Sequence, residues 1–209
     1  MKIFQVHWLY RNFGGGESYF FDLCDALEEL GHEVIVVSTK DDEPHLHIEG
    51  RKEYFIENSF GLRTGVKIWP KLKQIIRAEW PDIVHLHETK GFISPYIVGK
   101  ITRMRPVVQT VHIASFFCPL DTRISPRSSQ FCREKVGLSC FFRCFPWRTA
   151  GKLMLLNLWK LDVTRKIDRI IVGSRFMRDL AVSNDFHDAM IDVIPMFTNK
   201  NPDCQPPCS

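Results

Sequence analysis

The sequence predicts an α/β fold, a Rossmann-like open parallel sheet with helices on both faces. Three observations carry that expectation. Short apolar runs, too brief for helices, recur as IFQV (3–6), EVIVVST (33–39), DIVHLH (82–87), PVVQTVH (106–112) and IDRIIVG (167–173). Segments with helical spacing lie between them. The first strand–helix–strand unit closes within about 38 residues, which suits a parallel pair with a right-handed crossover.

Residues 3–6 form a buried strand. Residues 17–30 form a helix whose Phe20, Leu23, Cys24, Leu27 and Leu30 share one face, opposite Asp22, Asp25, Glu28 and Glu29. Gly31 stops it, because glycine accepts the left-handed conformation of a helix C-cap. Residues 33–39 follow as a fully buried strand and 52–56 as a weaker one. Residues 66–79 form a helix with Pro70 in its first turn, where a missing N–H does no harm, and Pro81 ends it. Residues 82–87 are a strand, 92–104 a helix and 106–112 a strand. Residues 114–147 break the rhythm with four cysteines, three prolines and several aromatics. Helix 149–165, strand 167–173, helix 175–183 and strand 191–194 restore it. Residues 1–197 thus read as one Rossmann-like domain with a cysteine-rich insertion at 114–147, and 198–209 as a proline-rich linker or tail.

Of the 209 residues, 44% are hydrophobic and 25% charged, an ordinary globular balance. The net charge of +4 is too small to argue for nucleic acid, and no nucleic-acid partner is expected. It suits phosphate ligands or an anionic membrane surface. No run approaches the ~18 apolar residues of a membrane span, and the N-terminus lacks a signal-peptide core. A cytoplasmic location is expected, with peripheral contact at the inner face of the plasma membrane left open.

In open α/β sheets, ligands bind at the carboxyl ends of strands. Gly14, Gly15 and Gly16 stand at such an end and lead into a helix N-terminus, whose free amides and dipole favour phosphate. The dinucleotide fingerprint is not met. Gly14-x-Gly16 is followed by Tyr19 where a third glycine or alanine belongs, and Asp41 and Asp42 match the ribose-binding acid only loosely. The plain alternative is a flexible turn without a ligand, with Glu17 complementing the helix dipole. His85 and His87 share one side of a strand. They read either as a metal pair or as core packing with a satisfied hydrogen bond.

Seven cysteines are present. Cys24 falls in a helical pattern and reads as a small buried apolar residue. Cys118, Cys132, Cys140 and Cys144 have 13, 7 and 3 residues between them. Four thiolates suit tetrahedral zinc or an iron–sulfur cluster, and a 34-residue segment without regular structure gains from such a staple. Free thiols and disulfides are the alternatives. Cys204 and Cys208 receive no role. Arg123, Arg127, Arg133, Lys135, Arg143 and Arg148 interleave with aromatic residues around the cluster. That mixture fits a membrane surface or a lipid-linked or phosphorylated acceptor, and equally a small core with a solvated basic rim. The stretch KLMLLNLWKL (152–161) is apolar on most sides, which implies full burial or a missing partner surface.

The string GGGE before an amphipathic helix and GHEVIVVST, then WPDIVHLHE, PVVQTVH, IDRIIVGSRFMRDL and IDVIPMFTN, resembles the N-terminal domain of family 4 (group 1) glycosyltransferases of the GT-B fold. The resemblance covers about residues 1–199. It implies a retaining enzyme that moves a sugar from a nucleotide-sugar donor to a glycan, lipid-linked or small-molecule acceptor, with no cofactor required for the chemistry. In that family this domain mainly holds the acceptor, and a second Rossmann-like domain binds the donor. By resemblance, Gly15, Gly16 and Glu17, with Gly14 before them, match a glycine loop near the donor diphosphate. His112 matches a histidine at the reacting centre, His87 a histidine of its strand motif, and Ser174 a serine near the interdomain cleft. Ile113 stands where an aspartate often follows the histidine, which puts any role for that carboxylate in doubt. The four-cysteine segment also resembles a loop found in a subset of the family.

The sequence stops just past the segment expected to lead into a donor-binding domain. The 209 residues are therefore expected to be inactive alone, as a truncated product, a fragment or half of a two-chain enzyme. The alternative is a non-catalytic binding module or partner subunit with an α/β sheet and a metal-stapled loop. A nucleotide-dependent oxidoreductase is a third reading, and the imperfect glycine fingerprint counts against it.

Overall fold

The structure, a computed structural model, describes residues 1–11, 14–40, 47–57, 64–87, 92–120, 122–126, 128–144 and 150–197. Seven strands form one sheet: β1 (Lys2–Val6), β2 (Glu33–Lys40), β3 (Lys52–Glu57), β4 (Ile83–Leu86), β5 (Val107–Val111), β6 (Arg169–Val172) and β7 (Ile191–Val193). Their order is β3-β2-β1-β4-β5-β6-β7, and every ladder is parallel. Chain order runs outward in both directions from the β1–β4 pair, so the topological switch point lies there. Among the described residues lie the helices α1 (Gly15–Glu29), α2 (Thr64–Glu79), α3 (Pro95–Ile101), α4 (Leu138–Cys144), α5 (Ala150–Thr164) and α6 (Arg175–Ser183). The Rossmann-like class expected from the sequence is what the chain adopts.

Strands buried on both faces need apolar side chains in both directions, and β2 supplies them from Val34 to Val37. Ile35 and Val37 join Phe4, Val6, Val84 and Leu86 in the larger core, packed with Ile68, Leu72 and Ile76 of α2. Val34 and Val36 face the other way, into a smaller core with Tyr10, Phe20 and Cys24 under α1. Cys24 is thus the buried apolar residue its position predicts. The buried Arg51 donates through Nη2 to Asp25 at 2.7 Å and to Glu28 at 2.6 Å, which ties α1 to the β3 edge. Gly31 has φ 80°, and the Gly31 and His32 amides close back on the carbonyls of Glu28 and Leu27. This is the glycine C-cap the sequence predicts.

Some boundaries differ from expectation. Helix α2 begins at Thr64, so Pro70 lies inside it rather than in the first turn; its ring is on the exposed side. Helix α3 spans only Pro95–Ile101, because Ser94 caps it in extended conformation and Pro95 opens it. The insertion is not wholly irregular: a 3-10 turn covers Ala114–Phe117 and α4 covers Leu138–Cys144. In α5, Met154 and Leu161 are buried while Leu155 and Trp159 are exposed, so the helix is covered on one side only. Among the described residues, no helix is long and apolar enough to cross a membrane. Asp41, Asp42 and the 198–209 tail lie outside the described residues.

Candidate functional site

Gln5 pairs with His85 across β1 and β4, and His85 pairs with Val108 across β4 and β5. Paired residues point the same way and side chains repeat every two residues. Gln5, His7, His85, His87, Thr110 and His112 therefore fall in one alternating set, at the carboxyl ends of the three strands that flank the switch point. The rings confirm the placement: His85 and His87 are 4.1 Å apart, and His87 and His112 stack at 5.6 Å.

Hydrogen bonds make this set a connected network. His87 Nε2 lies 2.7 Å from Gln5 Oε1, and His87 Nδ1 lies 3.3 Å from His112 Nε2. His85 Nε2 bonds Thr110 Oγ1 at 2.7 Å, so the core reading of this residue, with a satisfied hydrogen bond, fits its place. His7 Nδ1 is 2.7 Å from the Leu9 carbonyl. Gln109 Nε2 donates to the His87 carbonyl at 2.8 Å and fixes the end of β4.

Burial disfavours the charged imidazolium. It lowers His7 from 6.5 to about 4, against an opposing backbone bond to Leu9. It lowers His85 to about 3 and His112 to about 4, and takes His87 well below 6.5, with the neighbouring histidines adding repulsion at His87. All four rings are neutral at pH 7. His87 is fully enclosed and both its nitrogens are engaged, so it meets a ligand only through His112, which is half-exposed.

The glycine segment opens beside this network. Gly14 is extended and caps α1, and the first closed turn is the Ser18 amide to the Gly14 carbonyl, 3.0 Å. The amides of Gly15, Gly16 and Glu17 precede that turn and have no helical acceptor. Among the described residues, a Cβ at Gly15 or Gly16 would meet nothing within 4 Å, whereas one at Gly14 would stand 3.2 Å from Glu17 Oε2. No described residue fills the space over Gly15 and Gly16, and the Glu17 carboxylate turns back toward the cap. Tyr19, buried on α1, meets the His112 ring edge-on at 5.5 Å. The helix that begins at the glycine segment therefore also contacts the histidine, through Tyr19.

Ser174 caps α6, its Oγ accepting from the Met177 amide at 3.3 Å. The insertion is different in kind. Cys118, Cys132 and Cys144 are half-buried and Cys140 is buried. Cys132, Cys118 and Cys140 are within electrostatic reach of Arg123, which is itself buried. Among the described residues, no three His, Cys, Asp or Glu side chains are grouped to hold a metal ion.

Sequence reasoning singled out His87 and His112 but passed over Gln5, His7 and Tyr19. The signal was present. QVH at 5–7, HLH at 85–87 and TVH at 110–112 each end a strand with a polar residue, an apolar one and a histidine.

A sequence model of glycosyltransferase family 4 matches residues 13–200. No curated protein sequence matches the chain. Among solved structures, sucrose-phosphate synthase from Thermosynechococcus elongatus superposes with a TM-score of 0.59 at 12% identity, over 93% of this chain and 47% of that one. Anabaena HepE, in complex with UDP and glucose, gives 0.56 at 11% identity, over 94% and 44%. UDP-N-acetylglucosamine 2-epimerase from Rickettsia bellii gives 0.53 at 11%, over 91% and 43%. The chain spans less than half the length of each. At these identities the likeness shows a shared fold, and that fold serves an epimerase as well as a synthase.

Proposed function

Because this chain belongs to glycosyltransferase family 4, we propose that it is the acceptor-side half of a retaining glycosyltransferase that uses a nucleotide-sugar donor. The observation that carries this reading is the start of α1: its amides at Gly15–Glu17 have no helical acceptor, and its Tyr19 meets the neutral His112 edge-on. The amides suit the donor diphosphate, whose negative charge grows as the sugar leaves. A neutral imidazole suits a sugar hydroxyl as hydrogen-bond partner. A second α/β half outside these residues would form the opposite wall and hold the nucleotide, so the 209 residues alone would not turn over.

The acceptor in this reading is a glycan, a lipid-linked sugar or a small molecule. The exposed Phe142, Leu155 and Trp159 support contact with a lipid-bearing acceptor or a membrane surface. Cys118, Cys132, Cys140 and Cys144 remain candidate ligands for structural zinc or an iron–sulfur cluster. Two buried nitrogens of Arg123, Nε and Nη2, have no hydrogen-bond partner among the described residues and fit a neighbour that carries negative charge. Metal content below about half an equivalent per chain would remove that part of the proposal.

The test is amide NMR of the chain titrated with UDP and several UDP-sugars, alongside a transfer assay. Shifts are expected at Gly15, Gly16, Glu17 and His112, and Gly15→Leu should weaken binding about tenfold, roughly 1.4 kcal/mol. If no nucleotide moves these resonances, the phosphate site is wrong and a non-catalytic module becomes the better reading. Turnover by this chain alone would overturn the requirement for a second half.

A further inference from the structure

We propose that Gln5 and His87 are positioning residues that hold His112 in the tautomer protonated at Nε2, so that its bare Nδ1 is what a sugar hydroxyl meets. The functional weight of this inference rests on the transferase reading above; the tautomer itself does not.

A neutral imidazole carries one N–H and one lone pair. In a chain of such rings, fixing one end fixes every proton along it. Here the fixed end is Gln5, fully buried in the central strand β1. Its Oε1 faces His87 Nε2 at 2.7 Å. A carbonyl oxygen only accepts, so the His87 proton sits on Nε2 and its Nδ1 is bare. That Nδ1 faces His112 Nε2 at 3.3 Å. Two bare nitrogens cannot bond, so His112 donates from Nε2. Its Nδ1 is then the unprotonated atom, and it makes no hydrogen bond among the described residues.

The surroundings preserve this order. An extra proton on either ring would break the logic; burial opposes one on both rings, and the adjacent His85, His112 and His7 add to that at His87. Gln109, through its bond to the His87 carbonyl, keeps His87 at its level in the sheet. Reversing the chain requires three events together: rotation of the Gln5 carboxamide and a proton exchange at each of two histidines. The three residues lie on the adjacent strands β1, β4 and β5 or just beyond their ends, so the rigid sheet sets the spacing.

The experiment is long-range proton–nitrogen correlation of the imidazoles in the full chain at pH 7, without ligand. The wild-type protein should show His87 and His112 as neutral rings protonated at Nε2. Gln5→Leu, which removes the acceptor, should turn that single pattern into a mixture at both histidines. A His112 proton on Nδ1 in the wild-type chain overturns the proposal. So does an unchanged His112 pattern in a folded Gln5→Leu protein. Should Gln5→Leu fail to fold, the wild-type spectrum still decides. Because the tautomer is read without substrate, failure of nucleotide binding would sink the transferase reading and leave this inference standing.

Discussion

The histidine edge and the cysteine-bearing segment both bury ionisable groups, and they handle the burial in opposite ways. At the edge, four imidazoles are drawn below their ordinary protonation range and become neutral. Among the described residues, His7 Nε2 and Gln5 Nε2 there have no hydrogen-bond partner, but neither group is charged. In the insertion, Arg123 is equally enclosed and donates one bond, Nη1 to the Glu134 carbonyl at 2.8 Å. Its Nε and Nη2 have no hydrogen-bond partner among the described residues, and a guanidinium cannot shed its proton. Arg123 also sits at φ 55°, a conformation that costs a non-glycine residue about 1–2 kcal/mol. A group that can titrate adapts to an enclosed site; a permanent cation demands a counter-charge or strains the segment.

Acidification is the strongest way to break the comparison. Each histidine binds fewer protons in the native state than in the unfolded chain between its native value and 6.5. Stability is therefore full above about pH 6.5 and falls as pH drops, with the contributions of His7, His85 and His112 lost by about pH 3–4. His7 alone accounts for about 3 kcal/mol of that loss, and the cluster for more. Urea midpoints at pH 7, 5.5 and 4 should decline steeply across this range; a flat series would show that the rings are not buried neutral. Next in size is His87→Leu, which leaves Gln5 Oε1 and His112 Nε2 without partners. It should cost about 2–3 kcal/mol by denaturant unfolding at pH 7.

On the other side of the comparison, Arg123→Met should cost nothing and raise stability by up to about 2 kcal/mol, since removing an unpaired buried charge relieves its desolvation. A loss of similar size in thermal unfolding would instead reveal a negative partner such as metal-bound thiolates. The smallest effect is expected at Gly15→Ala, where a methyl meets no described residue. A gain of about 0.5–1 kcal/mol would confirm that the glycine is not there for folding.

The sheet was legible because parallel strands announce themselves: EVIVVST and IDRIIVG fall on β2 and β6 with little adjustment. Helix ends were less so. Ser94-Pro95 moved the start of α3 inward, and Thr64 extended α2 past the first apolar residue of its pattern. His112 and His87 could be named, yet their partnership could not, since hydrogen bonds between strands depend on register, and nothing local in QVH specifies that Gln5 will stand beside a residue 82 positions away. The insertion was read as irregular and holds α4, because a seven-residue helix is too short for periodicity to declare it.

The Gln5–His87–His112 chain exists only after β1, β4 and β5 have come together, and its ends are separated by more than a hundred residues of sequence. Pairings of that kind form late, after local helices and hairpin-scale contacts. A molecule trapped before β4 inserts would leave these imidazoles wet, and they would ionise near pH 6.5 like those of any peptide. Histidine titration thus doubles as an assay of correct assembly, able to separate a properly inserted central strand from a compact impostor of the same helical content.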